Sequence, residues 1–396
     1  MNCLILLLQL AVILAVTSLC GALARRVGQP KVVGEIAGGL ALGSLGLGYL
    51  LPGASHFLFA ASRLHLLETV SNIGLVLFLF LIGSELDLTA AQRNRGSSLA
   101  ITVGSIGVPF ALGAALAPVL LVRLGTPGVS RLGFVLFTGI AMSITALPVL
   151  ARILEERSSV ASTTAATALI VAAANDLVAW SLLAVTLALI HGGPLATTLI
   201  GLAWLALYVT VMLAVVRPIL ARLSGPLWLW LPLAVGFSFA SAHVTELLGI
   251  HAFFGAFLAG VCVPRVAELE KMLRRILTPA IAVTLPVFFA MTGLKMQREM
   301  FSSRGLGWLA VVLAVAVAGK IGGSMLAGRA SGMGWRPALE IGILLNTRGL
   351  VELIALNVGY REGVLSPLLF TLFVLMAVLT TAMTVPLLAL TTTKTP

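Results

Sequence analysis

Asp176 stands in the middle of the apolar run Leu169-Ile-Val-Ala-Ala-Ala-Asn-Asp-Leu-Val-Ala-Trp-Ser-Leu-Leu, where hydrocarbon makes an ionised side chain cost about 3 kcal/mol or more. A carboxylate deprived of water offsets its charge with a proton or with a cation, and a group that accepts either can exchange one for the other. Asn175 sets a neutral amide oxygen beside it, and Ser143, Thr145, Asn346 and Thr347 offer further oxygens from other apolar runs. Oxygen ligands suit hard cations, and the shortage of carboxylates favours a monovalent ion over calcium. Lys320 also lacks a local partner. It is expected to meet Asp176, to hold the acid while no cation is bound, and to be able to carry protons itself. Arg348 and Glu352, four residues apart on one helix face, read as a mainly structural ion pair that can reach across to Glu35.

These residues need elements that cross a membrane. Of the 396 residues, 59% are hydrophobic and 10% charged, with a mean hydropathy of +1.11, which excludes an ordinary soluble domain. Apolar runs of roughly 17 to 25 residues match helices spanning a core about 30 Å thick rather than the shorter strands of a barrel. The sequence predicts an all-α membrane protein of about 13 transmembrane helices. The spans expected at 250–263 and 279–294 are short, with Pro264 and Pro279 bracketing a polar connector that holds Glu268, Glu270, Lys271, Arg274 and Arg275. The first run has no basic residue before it and Arg25-Arg26 after it, which suits an outside-facing anchor better than a cleaved leader.

Internal similarity divides the chain. Gly34-Glu-Ile-Ala-Gly-Gly39 resembles Gly255-Ala-Phe-Leu-Ala-Gly260, and Phe78-Leu-Phe-Leu-Ile-Gly83 echoes Phe288-Phe-Ala-Met-Thr-Gly293. In each case the second copy lies the same odd number of spans after the first, so the copies cross the bilayer in opposite directions, as two inverted repeats do. The expected single transport domain, 1–396, therefore comprises a first repeat over about 1–191, a linker helix over about 195–222 and a second repeat over about 226–390. Such a plan requires a helix broken at mid-membrane in each half. Pro148 supplies one candidate, in Ser143-Ile-Thr-Ala-Leu-Pro148, and the polar, glycine-containing Asn346-Thr347-Arg348-Gly349 supplies the other. Where these helices unwind, free carbonyls and helix ends are expected to face one another beside Asp176.

Most of the 25 Lys and Arg residues fall in loops on one side of this topology, which predicts a cytoplasmic C-terminus and an N-terminus outside, in a cell membrane taken as bacterial. The net charge of +11 thus reflects topology and contact with anionic lipid, not nucleic-acid binding. The three cysteines have no metal-ligand spacing. No His-Glu-x-x-His run occurs and the five histidines fall at span ends or loops, so an intramembrane enzyme finds little support. A sodium-coupled symporter of an organic solute on a similar scaffold is the alternative function, and a passive cation channel is a weaker one.

Four stretches carry a family resemblance: Val33-Gly-Glu-Ile-Ala-Gly-Gly-Leu-Ala-Leu-Gly43, Gly74-Leu-Val-Leu-Phe-Leu-Phe-Leu-Ile-Gly-Ser-Glu-Leu-Asp87, Ile144-Thr-Ala-Leu-Pro-Val-Leu-Ala-Arg-Ile-Leu154 and Asn346-Thr-Arg-Gly-Leu-Val-Glu-Leu353. They resemble the second monovalent cation:proton antiporter family, which includes bacterial potassium-efflux antiporters, sodium/proton exchangers and plant cation/proton exchangers. The resemblance runs nearly end to end. It implies a homodimer of 13-helix protomers that exchanges Na+ or K+ for H+ by alternating access without any cofactor. Asp176 would be the shared carboxylate, Asn175 the preceding motif position and Lys320 the basic residue of the core. Electrogenic members have two adjacent aspartates where this chain has Asn175-Asp176, so electroneutral exchange is the default expectation, although a titrating Lys320 leaves the stoichiometry open. No soluble regulatory domain is expected after Thr391-Thr-Thr-Lys-Thr-Pro396.

Overall fold

Long apolar runs fold as helices here because a helix satisfies every backbone donor and acceptor within its own segment, which hydrocarbon demands. The computed structural model describes residues 2–85, 95–155, 160, 162–191, 195–223, 226–248 and 251–391. Asp87 and the tail 392–396 lie outside the described residues, as does the side chain of Cys3. In chain order the main helices are α1 (Asn2–Arg26), α2 (Lys31–Ala41), α3 (Leu64–Glu85), α4 (Arg95–Leu124), α5 (Arg131–Ser143), α6 (Leu147–Glu155), α7 (Ser162–His191) and α8 (Leu195–Val211). There follow α9 (Leu227–Leu247), α10 (Ala252–Cys262), α11 (Ala267–Leu294), α12 (Ser303–Ala330), α13 (Trp335–Leu345), α14 (Leu350–Arg361) and α15 (Pro367–Thr391).

Ten described segments are long and apolar enough to cross a membrane, α5 with α6 counting as one, and the bent pair α13 and α14, meeting at 46°, makes an eleventh. The remaining two expected spans, at 31–51 and 250–263, contain the 11-residue helices α2 and α10. At 1.5 Å per residue each rises only about 16 Å, so by length and composition the described residues supply ten or eleven of the 13 expected spans. The α2 run stops where Gly43 meets the backbone of Gly293 and Ser44 bonds the Gly293 and Leu294 carbonyls. The polar connector expected before 279 is instead helical: Pro279 and Pro286 lie inside a continuous 28-residue α11. Glu268 and Glu270 occupy its first turn, where acidic side chains meet the positive end of the helix dipole. The pairs Glu268–Lys271 and Glu270–Arg274 stitch successive turns, and Arg274 also reaches Glu85.

The chain forms two compact units. One comprises Met1–Leu14, His56–Leu86 and Ala184–Met291; the other comprises Ala15–Ser55, Asp87–Leu183 and Thr292–Pro396. Each draws segments from both halves of the sequence, and in each the repeated glycine motifs meet across the halves. In the first unit, Gly83 of α3 packs on Gly260 and Phe257 of α10 with no room for a Cβ. In the second, Gly293 packs in the same manner on Gly39 and Leu40 of α2. The neighbouring contacts repeat as well: Gly34 lies against Cys20 and Ala24, and Gly255 against Ser241 and Thr245. Within the second unit, Gly104 of α4 faces Gly323 and Ala327 of α12, while Gly323 faces Gly104 and Val108. Small residues at such contacts let helix backbones approach closely in lipid. The regular structure of the described residues is all helical, with crossed discontinuous helices.

The two breaks occupy residues 144–146 and 346–349. Pro148 does not itself interrupt a helix. It sits in the first turn of α6, where its missing N–H would have no intrahelical partner anyway, and the break precedes it. In the second break Gly349 takes φ 155°, a backbone conformation that L side chains rarely adopt.

Candidate functional site

The site lies wholly within the second unit. Where α5 and α13 end, the broken strands cross in hydrogen-bond contact: the Ala146 amide donates to the Thr347 carbonyl at 3.0 Å and the Thr145 hydroxyl to the Leu345 carbonyl at 3.1 Å. α7 brings Asn175 to this crossing. Its amide nitrogen donates to Thr145 Oγ1 at 3.1 Å and to Ser105 Oγ on α4 at 3.0 Å.

Asp176, the next residue, is fully buried. Neither of its oxygens has a side-chain hydrogen-bond partner among the described residues. The Leu147 backbone amide, at the start of α6, is directed at the carboxylate, and the Lys320 charge acts on it through space. A buried carboxylate with open lone pairs, near a helix N-terminus and a cation, is equipped to take a proton or a metal ion.

Lys320 is buried as expected but bonded elsewhere. Its ammonium donates to the Ser105 carbonyl at 2.8 Å and to the Ser143 carbonyl, and among the described residues it forms no ion pair with Asp176. The Arg348 guanidinium donates to the Ala141 and Met142 carbonyls and to Glu352 Oε1, the last at 3.0 Å. The last three carbonyls of α5 therefore all receive bonds from two buried cations. Helix ends carry partial negative charge and unpaired carbonyls, so a helix ending inside the membrane needs such a cap. The expected pairing of Lys320 with Asp176 gives way to this stronger local demand.

Other expected residues are placed differently. The Ser143 hydroxyl turns back to Ile140 O in its own helix, leaving its carbonyl to Lys320. Glu35 does not join Arg348 and Glu352; it pairs with Lys31 at 2.7 Å and is partly exposed. Thr347 bonds Thr384 of α15 at 3.3 Å. The Asn346 side chain is fully buried, and neither its oxygen nor its nitrogen has a hydrogen-bond partner among the described residues.

Two residues escaped the sequence reading. Thr381 of α15 accepts from the Arg348 amide at 2.9 Å and donates to the Arg348 carbonyl at 2.6 Å, so a hydroxyl serves the start of α14 much as Asp176 faces the start of α6. Ser105 joins Asn175 to Lys320. Hydroxyls in apolar helices usually bond back to their own backbone, so neither residue carried a signal in the sequence.

The transmembrane sodium/hydrogen exchanger family model matches residues 13–391. The chain belongs to the sodium/hydrogen exchanger family. Relatives within this exchanger group include cation/H(+) antiporter 20 of Arabidopsis thaliana, 36% identical over 96% of this chain and 48% of that protein. The Na(+)/H(+) antiporter NhaS4 of Synechocystis sp. is 35% identical over 97% of this chain and 96% of its own length. The K(+)/H(+) antiporter 1 of Saccharomyces cerevisiae is 32% identical over 91% and 43%. The exchanger-family chain thus spans about half the length of the plant relatives that it matches. Among solved structures, the sodium proton antiporter MjNhaP1 of Methanocaldococcus jannaschii superposes with a TM-score of 0.69 over 98% of this chain and 97% of its own, at 16% identity. That likeness is one of fold.

Proposed function

We propose that the protein is a secondary active transporter that exchanges a monovalent cation, Na+ or K+, for H+ by alternating access at Asp176. The observation that carries this reading is the fully buried Asp176 carboxylate, which has no side-chain hydrogen-bond partner among the described residues, beside the crossed breaks of α5/α6 and α13/α14. A proton on Asp176 leaves it neutral; a cation in contact with it does the same. Both loaded forms avoid a bare charge in a low dielectric, whereas the unloaded carboxylate does not, and that difference opposes transit without cargo. The two ions are thereby tied to opposite movements.

Further ligands follow from which polar atoms are uncommitted. Asn175 and Thr145 already bond each other, so they shape the site more than they fill it. The Asn346 oxygen is buried and has no partner among the described residues, which recommends it as a second cation ligand drawn from the opposite break. With Asn175 where a second acid would stand, the proton-loaded and cation-loaded sites carry equal charge, which favours one-for-one, electroneutral exchange.

The test is Asp176→Asn in proteoliposomes with a pH-sensitive dye. Cation-dependent proton flux is expected to fall at least about 100-fold, to the level of empty vesicles, as loss of an obligatory carrier requires. The variant should keep the wild-type melting temperature to within a few degrees. Retained flux would remove Asp176 from the exchange step.

A further inference from the structure

Among the described residues, Ser105 alone bonds both to the neighbour of the acid and to the buried base. Its hydroxyl lies 3.0 Å from Asn175 Nδ2 and 3.2 Å from Asn175 Oδ1. Its backbone carbonyl accepts from Lys320 at 2.8 Å. The contact exists because Gly104, the preceding residue, and Gly323, one turn after Lys320, let α4 and α12 approach backbone to backbone. Ser105 itself is fully buried.

Through Asn175 the contact extends further. The Asn175 amide also donates to Thr145, and Thr145 donates to Leu345 O. One connected line of hydrogen bonds therefore runs from α4 through α7 to the first break and on to the second. Successive helix residues point about 100° apart, so the Asn175 amide cannot simply turn to serve the Asp176 carboxylate. What it can do is fix the rotation of α7 and hence the direction in which Asp176 faces. Two polar anchors, Thr145 and Ser105, hold that amide, and they stand on different elements.

We infer that Ser105 is a positioning residue for cation binding: its hydroxyl fixes the Asn175 amide, and so the orientation of Asp176 toward the crossing, while its carbonyl seats Lys320. This inference rests on Asp176 being the exchange site. It concerns affinity rather than carrying capacity, because Ser105 neither receives the proton nor faces the carboxylate. Removing the hydroxyl leaves the carbonyl and the Lys320 bond in place, but it costs the buried Asn175 amide one of its two anchors. The amide then turns to recover a partner, and α7 gains freedom at the residue before the acid.

Proton flux in proteoliposomes, titrated with Na+ and separately with K+ at fixed pH, tests this. Ser105→Ala is expected to raise the apparent KM for the transported cation roughly three- to tenfold, the loss expected from one buried hydrogen bond, with maximal flux changed less than about twofold. Ser105→Thr, which restores the hydroxyl, should return KM to within about twofold of wild type. A KM that does not move in Ser105→Ala, or a fall in maximal flux at unchanged KM, overturns the inference, as does failure of Ser105→Thr to restore KM. If Ser105→Ala yields no folded protein, Ser105→Cys, with a weaker donor of similar size, supplies the same comparison. Asp176→Asn run alongside separates the two levels: retained flux there defeats the exchange site itself, whereas loss of flux in Asp176→Asn with a wild-type KM in Ser105→Ala defeats only the role of Ser105.

Discussion

The acid and its amide neighbour were legible at the level of single residues because hydrocarbon penalises them, so their presence needs a reason. Asp176, Lys320, Arg348 and Glu352 were singled out on that ground, and Asn175 and Thr145 as neighbouring oxygens; the structure places all of them in the interior of one unit. Partnership was harder to read. Charge complementarity pointed Lys320 at Asp176, yet the Ser143 carbonyl at the end of α5 and the Ser105 carbonyl of α4 claim it first; spacing alone does not reveal where a helix stops. The Arg348–Glu352 pair, four residues apart and fully buried, yields a prediction of its own. Glu352→Gln leaves a buried guanidinium without its counter-charge and should destabilise the protein by about 3–5 kcal/mol, and Arg348→Met, which also uncaps the Ala141 and Met142 carbonyls, should cost at least as much. Thermal melting of the purified variants checks it. Wild-type melting in either single variant would show the pair to be dispensable to folding.

At the scale of elements, apolar length and the inverted plan anticipated where helices run and that two of them break. The position of the first break was misread. Proline is a strong helix breaker in the interior of a run, but Pro148 occupies a first turn, where it is harmless, and the chain breaks at 144–146 instead. The second break depends on Gly349, whose φ of 155° suits glycine and whose missing Cβ would approach Val149 to 2.9 Å. Pro148→Ala should therefore keep cation-dependent flux within about twofold of wild type, since nothing in α6 requires the ring. Gly349→Ala should lower flux at least about tenfold by straining the crossing. Equal effects of the two substitutions on flux would contradict this placement of the breaks. The helical start of α11 was missed because its charges read as loop, although their spacing of three and four residues places them on one helix face.

For the whole molecule, two short glycine motifs recurring at corresponding places carried the architecture, and they now have a physical explanation: each copy packs on the repeat partner of the other. Gly83 on Gly260 and Gly293 on Gly39 are equivalent contacts in different units. Gly83→Val and Gly293→Val should accordingly each destabilise by about 1–3 kcal/mol through overpacking, measured as a loss of melting temperature in detergent. A tolerated valine at either position would break the equivalence. What the sequence concealed was the interleaving, since a contact between distant halves leaves no trace in local periodicity. The same scale holds the central claim, that proton and cation compete for Asp176. Apparent cation KM in proteoliposomes, measured across pH with the voltage clamped, tests it most directly. Exclusive competition predicts that KM rises toward tenfold per pH unit as the proton wins the carboxylate, at constant maximal flux under saturating cation; a KM indifferent to pH would contradict it.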